Sequence, residues 1–375
     1  MKPLLIIILF FFSLTVFGQN DTLGFTNKAE AKNLMVDGKK EGRWVEYCDS
    51  SWRITTSTDA PYYRLNIYKN GMRLGKGGDY YKSGKLQQEY HYSNGKREGD
   101  TKWYYEDGQL NEIGTYLYDS LNGDDKVYYE NGKLKKTLTF RNGRENGLTT
   151  AYFKNGRIDW QAKYIDGKRN DIAKRYFENG KIWIEEPDSN GKKNGINVEY
   201  YKSGKIHYEI PYQNDRLNGV AKEYYKNGGI HYEIPFVNNR INGVVNCYYK
   251  NGRRQIEAPF IDSVLDGAIK IYYKSGVLKV EIPYVKGKLT GTAKGYFKSG
   301  ILWGETSLVD SAMNGPTRVY YESGKLLRVT SYANGKKNGI TKEYYESGNV
   351  KSQITYSNDK IVDVKRFDEN GNEIK

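Results

Sequence analysis

From Ile230 to Phe236 the chain reads Ile-His-Tyr-Glu-Ile-Pro-Phe, with an apolar side chain at every second position. Such alternation predicts a strand with one apolar face, because successive side chains of a strand point to opposite sides. The pattern returns at a fixed interval. Two residues beyond a recurring glycine stand Leu86, Leu110, Leu134, Ile158, Ile182, Ile206, Ile230, Leu278, Leu302, Leu326 and Val350, with Arg254 as the one break. Eight residues beyond the same glycine stand Tyr92, Tyr116, Phe140, Tyr164, Tyr212, Phe236, Phe260, Tyr284, Tyr332 and Tyr356. One face of the strands is therefore continuously apolar.

The glycine that sets this phase closes an aromatic-aromatic-x-x-Gly string, as in Tyr80-Tyr81-Lys82-Ser83-Gly84. Its members are Gly84, Gly108, Gly132, Gly156, Gly180, Gly204, Gly228, Gly252, Gly276, Gly300, Gly324 and Gly348, always 24 residues apart. Tripeptides such as Lys226-Asn227-Gly228 suit a three-residue hairpin loop whose last residue is left-handed, a region glycine enters without steric cost. A second column runs in phase: Gly75, Gly99, Gly123, Gly147, Gly195, Gly219, Gly243, Gly267, Gly291, Gly315 and Gly339. Asp171 and Asp363 hold its two remaining places, and Asp is among the few other residues that tolerate positive φ.

Repeats of this kind are stacks of one supersecondary unit. The expected fold is all-β: an elongated single-sheet solenoid of stacked antiparallel β-hairpins with a 24-residue period. Helix is excluded by the frequent glycines, the β-branched and aromatic content, and the lack of any 3.6-residue periodicity. Pro187, Pro211, Pro235, Pro259 and Pro283 form a further column, which must lie at a strand end or a locally unpaired site, because proline cannot donate to a ladder. The array runs from residue 38 to 375 in about thirteen units. Gly42 to Gly75 spans 33 residues, which places a nine-residue insertion in the first unit, within residues 48–61. Phe367 and Gly371 come one residue early and mark a degenerate closing half-unit.

The first residues read differently. Lys2, the apolar run Leu4 to Phe17 and Gly18 form a signal peptide over 1–18, too short for the roughly 20 apolar residues of a membrane span, followed by a leader over 19–37. The protein is expected to be exported, to the periplasm, the cell surface or the medium, and not to span a membrane.

The motif Y-Y-x-N/S-G-K-L…E-I-P-Y…N-G-K-x-N-G resembles the MORN repeat variant, and specifically the YwqK family of bacterial proteins; YYKSGKIHYEIPYQNDRLNG at 200–219 is a close match to one unit. The resemblance implies hairpins side by side in a sheet and a role in binding, and some members of that family are antitoxins. The export signal of this chain departs from a cytoplasmic antitoxin. Cell-wall-binding repeats, which also place paired aromatics near glycine, fit less well, because only six Trp are spread over the units.

With 36 Tyr, 41 Gly and few aliphatic residues, the composition suits a thin object whose surface is covered by amphipathic rings. The formal net charge of +14 favours an acidic surface polymer as a partner, although most lysines stand beside turn glycines, where they also solvate loop tips. Nucleic acid is not expected for an exported chain. Cys48 and Cys247, eight units apart, would lie ~75 Å from each other at ~4.8 Å per strand. They are not expected to pair, and each reads as a buried or half-exposed substitute for tyrosine.

Nothing in the chain has the spacing of a nucleophile elbow, a phosphate-binding loop or a zinc site. No catalytic residue, cofactor or metal is expected, and the protein is read as a non-enzyme. His207 and His231 would stand ~10 Å apart in adjacent units, too far to share a metal. Glu185, Glu209, Glu233, Glu257, Glu281 and Glu305 form a column expected to pair with Lys174, Lys222, Lys270 and Lys294 rather than to do acid–base work. The candidate footprint for a partner is the least regular stretch, Trp160, Trp183, His207, Tyr208, His231 and Tyr232. A protein partner on an extended sheet face is the leading expectation. Binding of polysaccharide or peptidoglycan, and neutralisation of a toxin, are the alternatives.

Overall fold

The computed structural model describes residues 23–374. The signal-peptide reading lies outside them, as do the first four residues of the leader. The chain divides into two units at Gly156/Arg157. Both are all-β and antiparallel, and within each the strands pair in chain order as stacked hairpins.

One repeat of the second unit shows how the sequence sets the geometry. Strand Gly195–Tyr200 pairs with Ile206–Gln213 from Gly195↔Tyr212 to Tyr200↔Ile206. Between them Tyr201 N donates to the Lys205 carbonyl and Gly204 N to the Tyr201 carbonyl, at 2.9 and 2.8 Å, which closes a three-residue loop. Gly204 has φ +95°, and all twelve glycines of its column lie between +75° and +101°.

The second connection is tighter. Gln213 pairs with Arg216 across a two-residue turn, Asn214-Asp215, with φ +49° and +66°. Positive φ at both central residues marks the type I′ turn, whose twist matches that of the flanking strands. From Asn70 to Asn358 the sequence supplies Asn or Asp at the first turn position in eleven of thirteen turns; Tyr118 and Lys286 hold it at φ +50° and +47°. Each turn also leans on the one before: Asp215 N donates to the Lys193 carbonyl at 3.0 Å, and Asp215 Oδ1 accepts from Lys193 N at 2.8 Å.

The second glycine column has a different task. After Tyr212↔Leu217 the ladder resumes only at Glu209↔Lys222, so Ile210 and Pro211 face the longer run 218–221. Pro211 sits in this gap, where no N–H is called for, and its carbonyl still accepts from Asn218 N at 3.1 Å. Gly219 takes up the extra length at φ +116°, and a Cβ there would meet the Pro211 ring at 3.1 Å. Asp171 holds the same conformation at φ +85°. Asp363 does not. The last repeat is one residue shorter, its pairing steps directly from Tyr356↔Ile361 to Thr355↔Asp363, and Asp363 stays out of the left-handed region.

Burial separates the units. In the first, Phe25, Tyr63, Leu65, Ile67 and Tyr80 form a core, with Ala31, Val45, Tyr47 and Leu86 packed against it. The segment before the array thus lies over one face of the sheet, its short 3-10 turn Lys28–Glu30 started by the Asn27 side chain. Asn33 seals the edge of strand Lys39–Cys48: its Oδ1 accepts from Val45 N at 2.8 Å and its Nδ2 donates to the Val45 carbonyl. The insertion forms the loop 49–61, with Ile54–Thr55 paired to the end of that strand. In the second unit the buried apolar residues are Ala162, Ala173, Cys247 and Ala258, all small. Its larger aliphatic and aromatic side chains are half-buried at best, as in a single layer of sheet open on both faces.

Both cysteines are free and buried. Cys48 occupies the second-tyrosine position, but Cys247 does not replace a tyrosine. It precedes the pair Tyr248-Tyr249, opposite Tyr232 and Ile256, where a small side chain fits between neighbouring strands.

Candidate functional site

The tyrosine pairs stitch the layer together. In four successive pairs the first hydroxyl donates to the glutamate column: Tyr200 to Glu185 at 2.8 Å, Tyr224 to Glu209 and Tyr248 to Glu233 at 2.7 Å, and Tyr272 to Glu257 at 2.6 Å. Desolvation and the carboxylate acceptor push Tyr200 and Tyr224 up to about 12. The second hydroxyl reaches forward one unit to a backbone carbonyl: Tyr201 to Tyr224, Tyr225 to Tyr248 and Tyr249 to Tyr272, each at 2.7 Å. Lysine comes second as partner to the glutamates. Lys174 contacts Glu185 at 3.0 Å, whereas Lys222 is aligned with Glu209 and Glu233 only in register.

The six footprint candidates do not form one cluster. Three begin successive ring ledges beside the three-residue loops. Trp183 stacks on Phe177 with centroids 5.7 Å apart; His207 lies between Tyr201 and Tyr208, at 4.1 and 3.9 Å; His231 lies between Tyr225 and Tyr232, at 4.2 Å from each. Glu199 Oε1 is 3.7 Å from His207 Nδ1 and accepts from Trp183 Nε1 at 3.4 Å, and Glu223 is 3.4 Å from His231. Trp160 stands apart, edge-on to Tyr164 at 6.5 Å. At the ledge position in other repeats, Lys279 and Lys351 place ammonium groups over Tyr273 and Tyr345, at 5.6 and 5.7 Å.

Between the ladders runs an apolar stripe that the periodicity analysis did not single out. Ile172 pairs with Pro187, Ile196 with Pro211, Val220 with Pro235 and Val244 with Pro259. Each proline ring in turn abuts the glycine beside the next aliphatic residue. Ile172, Ile196, Val220 and Val244 are 46, 54, 47 and 45% exposed, far more than a side chain in a core. The signal was present as an aliphatic residue directly after Asp171, Gly195, Gly219 and Gly243.

The first unit holds the densest buried chemistry, and none of it was anticipated. Glu46, 5% exposed, accepts from Lys40, from the Tyr68 hydroxyl at 3.1 Å and lies 3.5 Å from Arg73 Nη2. Burial works against its charge, but Lys40 and Arg73 hold its carboxyl below the usual range. Asp79 accepts from the Tyr90 hydroxyl at 2.6 Å and lies 3.5 Å from Arg64; burial nevertheless pushes it up. Arg73 also donates to the Tyr68 and Tyr92 hydroxyls at 3.1 Å. Further along, burial and the neighbouring Glu112 raise Asp125 to about 7, and burial raises Glu112 as well, so this pair retains a proton. Asp125 is the one ionisable residue in a column that holds Thr101, Thr149, Ala173, Asn197 and Ala221, and that charge was the available clue. Among the described residues, no three His, Cys, Asp or Glu side chains converge to hold a metal, and no helix is long and apolar enough to cross a membrane.

Comparison with known proteins follows the same periodicity. The chain is similar to the Tc holotoxin pore of Photorhabdus luminescens at 11% identity, over 84% of this chain and 19% of that one, with a TM-score of 0.17. It is similar to TcdB2-TccC3 without its hypervariable C-terminal region at 12% identity, over 89% and 23%, with a TM-score of 0.15. The chain spans about a fifth of those chains, and superpositions this weak carry no argument about function. No curated protein matches. The family model of the MORN repeat variant matches residues 79–94, 97–118, 121–142, 172–187, 193–214, 217–238, 265–286, 313–334 and 337–358. Those segments lie in both units and keep the phase of the glycine columns, and these nine are MORN repeats of the variant type.

Proposed function

We propose that the chain is a non-enzymatic repeat scaffold, exported from the cell that makes it, that binds another protein along a sheet face of the second unit. The stripe of Ile172, Ile196, Val220 and Val244 with its prolines carries this reading. Aliphatic side chains left about half exposed in consecutive hairpins favour burial against a partner. Affinity capture from envelope and secreted fractions, followed by the triple substitution Ile196→Asp, Val220→Asp and Val244→Asp, is the test. The scaffold reading expects a reproducible protein partner that the variant no longer retains. Retention by the variant removes the stripe from the interface. Export predicts mature protein beginning at Gln19, and N-terminal sequencing of the secreted or periplasmic protein checks it.

A finer reading places the chain with the YwqK-like antitoxins, supported by residues 200–219. It predicts that a toxin encoded beside this gene is neutralised on co-expression. Growth arrest that persists with both proteins present rules it out.

A further inference from the structure

The two edges of the second unit carry opposite electrostatic designs. At the two-residue turns, cations meet acids of the following repeat: Arg240 lies 3.8 Å from Asp262, and Lys288 lies 3.2 Å from Asp310. At the three-residue loops, five successive repeats place a lysine at the same tip position: Lys202, Lys226, Lys250, Lys274 and Lys298. All five are exposed, and among the described residues none has an ion-pair partner. The loops 201–205, 225–229, 249–253, 273–277 and 297–301 contain no Asp or Glu, and Glu178 and Glu322 at the same tip position bound the run.

The row is also held in place. Lys205 Nζ donates to the Asn227 carbonyl at 3.1 Å, Arg253 Nη1 to the Ser275 carbonyl at 2.6 Å, and Lys250 Nζ sits 5.9 Å from the Tyr225 ring centroid. With two strands per repeat, successive tips lie ~9.6 Å apart. That spacing is close to the ~8 Å screening length at physiological salt, so neighbouring charges act together on one anion that follows the row.

We infer that this loop edge binds a linear anionic polysaccharide, laid along the row with one cation meeting it per repeat. A single file of charges suits a chain rather than a plane, and the half-buried rings of Tyr201, His207, Tyr225 and His231 beside the loops offer faces for sugar rings. The surface is distinct from the aliphatic stripe, so the two readings fail independently.

The test titrates the full-length protein with fluorescent dextran sulfate, with neutral dextran, and with phosphatidylglycerol vesicles, at low and high salt. Lys→Gln at 202, 226, 250, 274 and 298 together should weaken dextran sulfate binding roughly tenfold or more and flatten its salt dependence. Gln in place of Lys192, Arg216, Arg240 and Lys288 on the opposite edge should leave binding within about twofold. Unchanged circular dichroism and melting of both variants would show that they fold. No binding by the wild type, equal loss in both variants, or equal or tighter binding to the vesicles than to the soluble polymer would overturn the assignment.

Discussion

The Tyr224 hydroxyl donates to the Glu209 carboxylate at 2.7 Å, from a residue fifteen positions later in the chain. The same bond recurs from Tyr200 to Tyr272 at the 24-residue step. Tyr224→Phe should lower stability by about 1 kcal/mol in chemical denaturation, the usual contribution of one such hydrogen bond. The folded pKa of about 12 exceeds the ordinary value of 10.0, so this contribution is complete below pH 10 and is lost as pH rises toward 12. A variant as stable as wild type at neutral pH would leave the bond without energetic weight.

Asp125 and Glu112 should make the first unit less stable in mild base than in mild acid. The folded Asp125 keeps its proton up to about pH 7, whereas the unfolded residue loses it near 3.8, so stability declines as pH rises between these values. Asp125→Asn should remove that slope and raise stability at pH 8 by on the order of 1–3 kcal/mol. Urea titrations at acidic and alkaline pH compare the two proteins directly. An unaltered slope in the variant would assign the titration to other groups.

Lys286 and Tyr118 hold a left-handed turn position that Asn or Asp fills in the other repeats. Lys286→Asn and Tyr118→Asn should each stabilise the fold by about 0.5–1 kcal/mol, because Asn tolerates that conformation better. Thermal melting reads the gain, and a lowered melting temperature would contradict it.

Phe25 anchors the segment that lies over the first unit's sheet. Phe25→Ala should cost about 3 kcal/mol in that unit by leaving a cavity. Hydrogen exchange should quicken in strands Tyr62–Lys69 and Met72–Tyr81 and stay unchanged in the second unit. A uniform response across both units would show that the segment is not a local anchor.

The repeat, its period, the strands and the three-residue loops could be read from the sequence, because glycine and alternation report backbone conformation directly. The proline column was legible only as an alternative, a strand end or an unpaired site. The structure places it opposite the two-residue excess that Gly219 and its equivalents absorb. Asp363 misled for a related reason: residue type tolerates a positive φ but does not impose one, and the shortened last repeat removes the need. The glutamates were assigned to lysine, but the shorter reach to a tyrosine hydroxyl prevails at Glu209 and Glu233. The polar network around Glu46 and Asp79 was not legible at all. It joins residues from four strands of the least regular repeats, and periodicity carries no information about pairings that occur once.

The hydroxyl of Tyr201 ends on the carbonyl of Tyr224, and that of Tyr225 on the carbonyl of Tyr248, the same step of 23 residues each time. A unit such as that of Tyr224 and Tyr225 thus presents to its predecessor the same socket that it fills on its successor. Excising residues 205–228 would bring Gly229 behind Gly204 and return each donor to an acceptor of its own kind, whereas removing half as many would leave both ends of the joint mismatched. Tandem recombination in whole units can therefore change the length of this array without disturbing its grammar, and the number of repeats becomes a dimension that selection can adjust separately from stability.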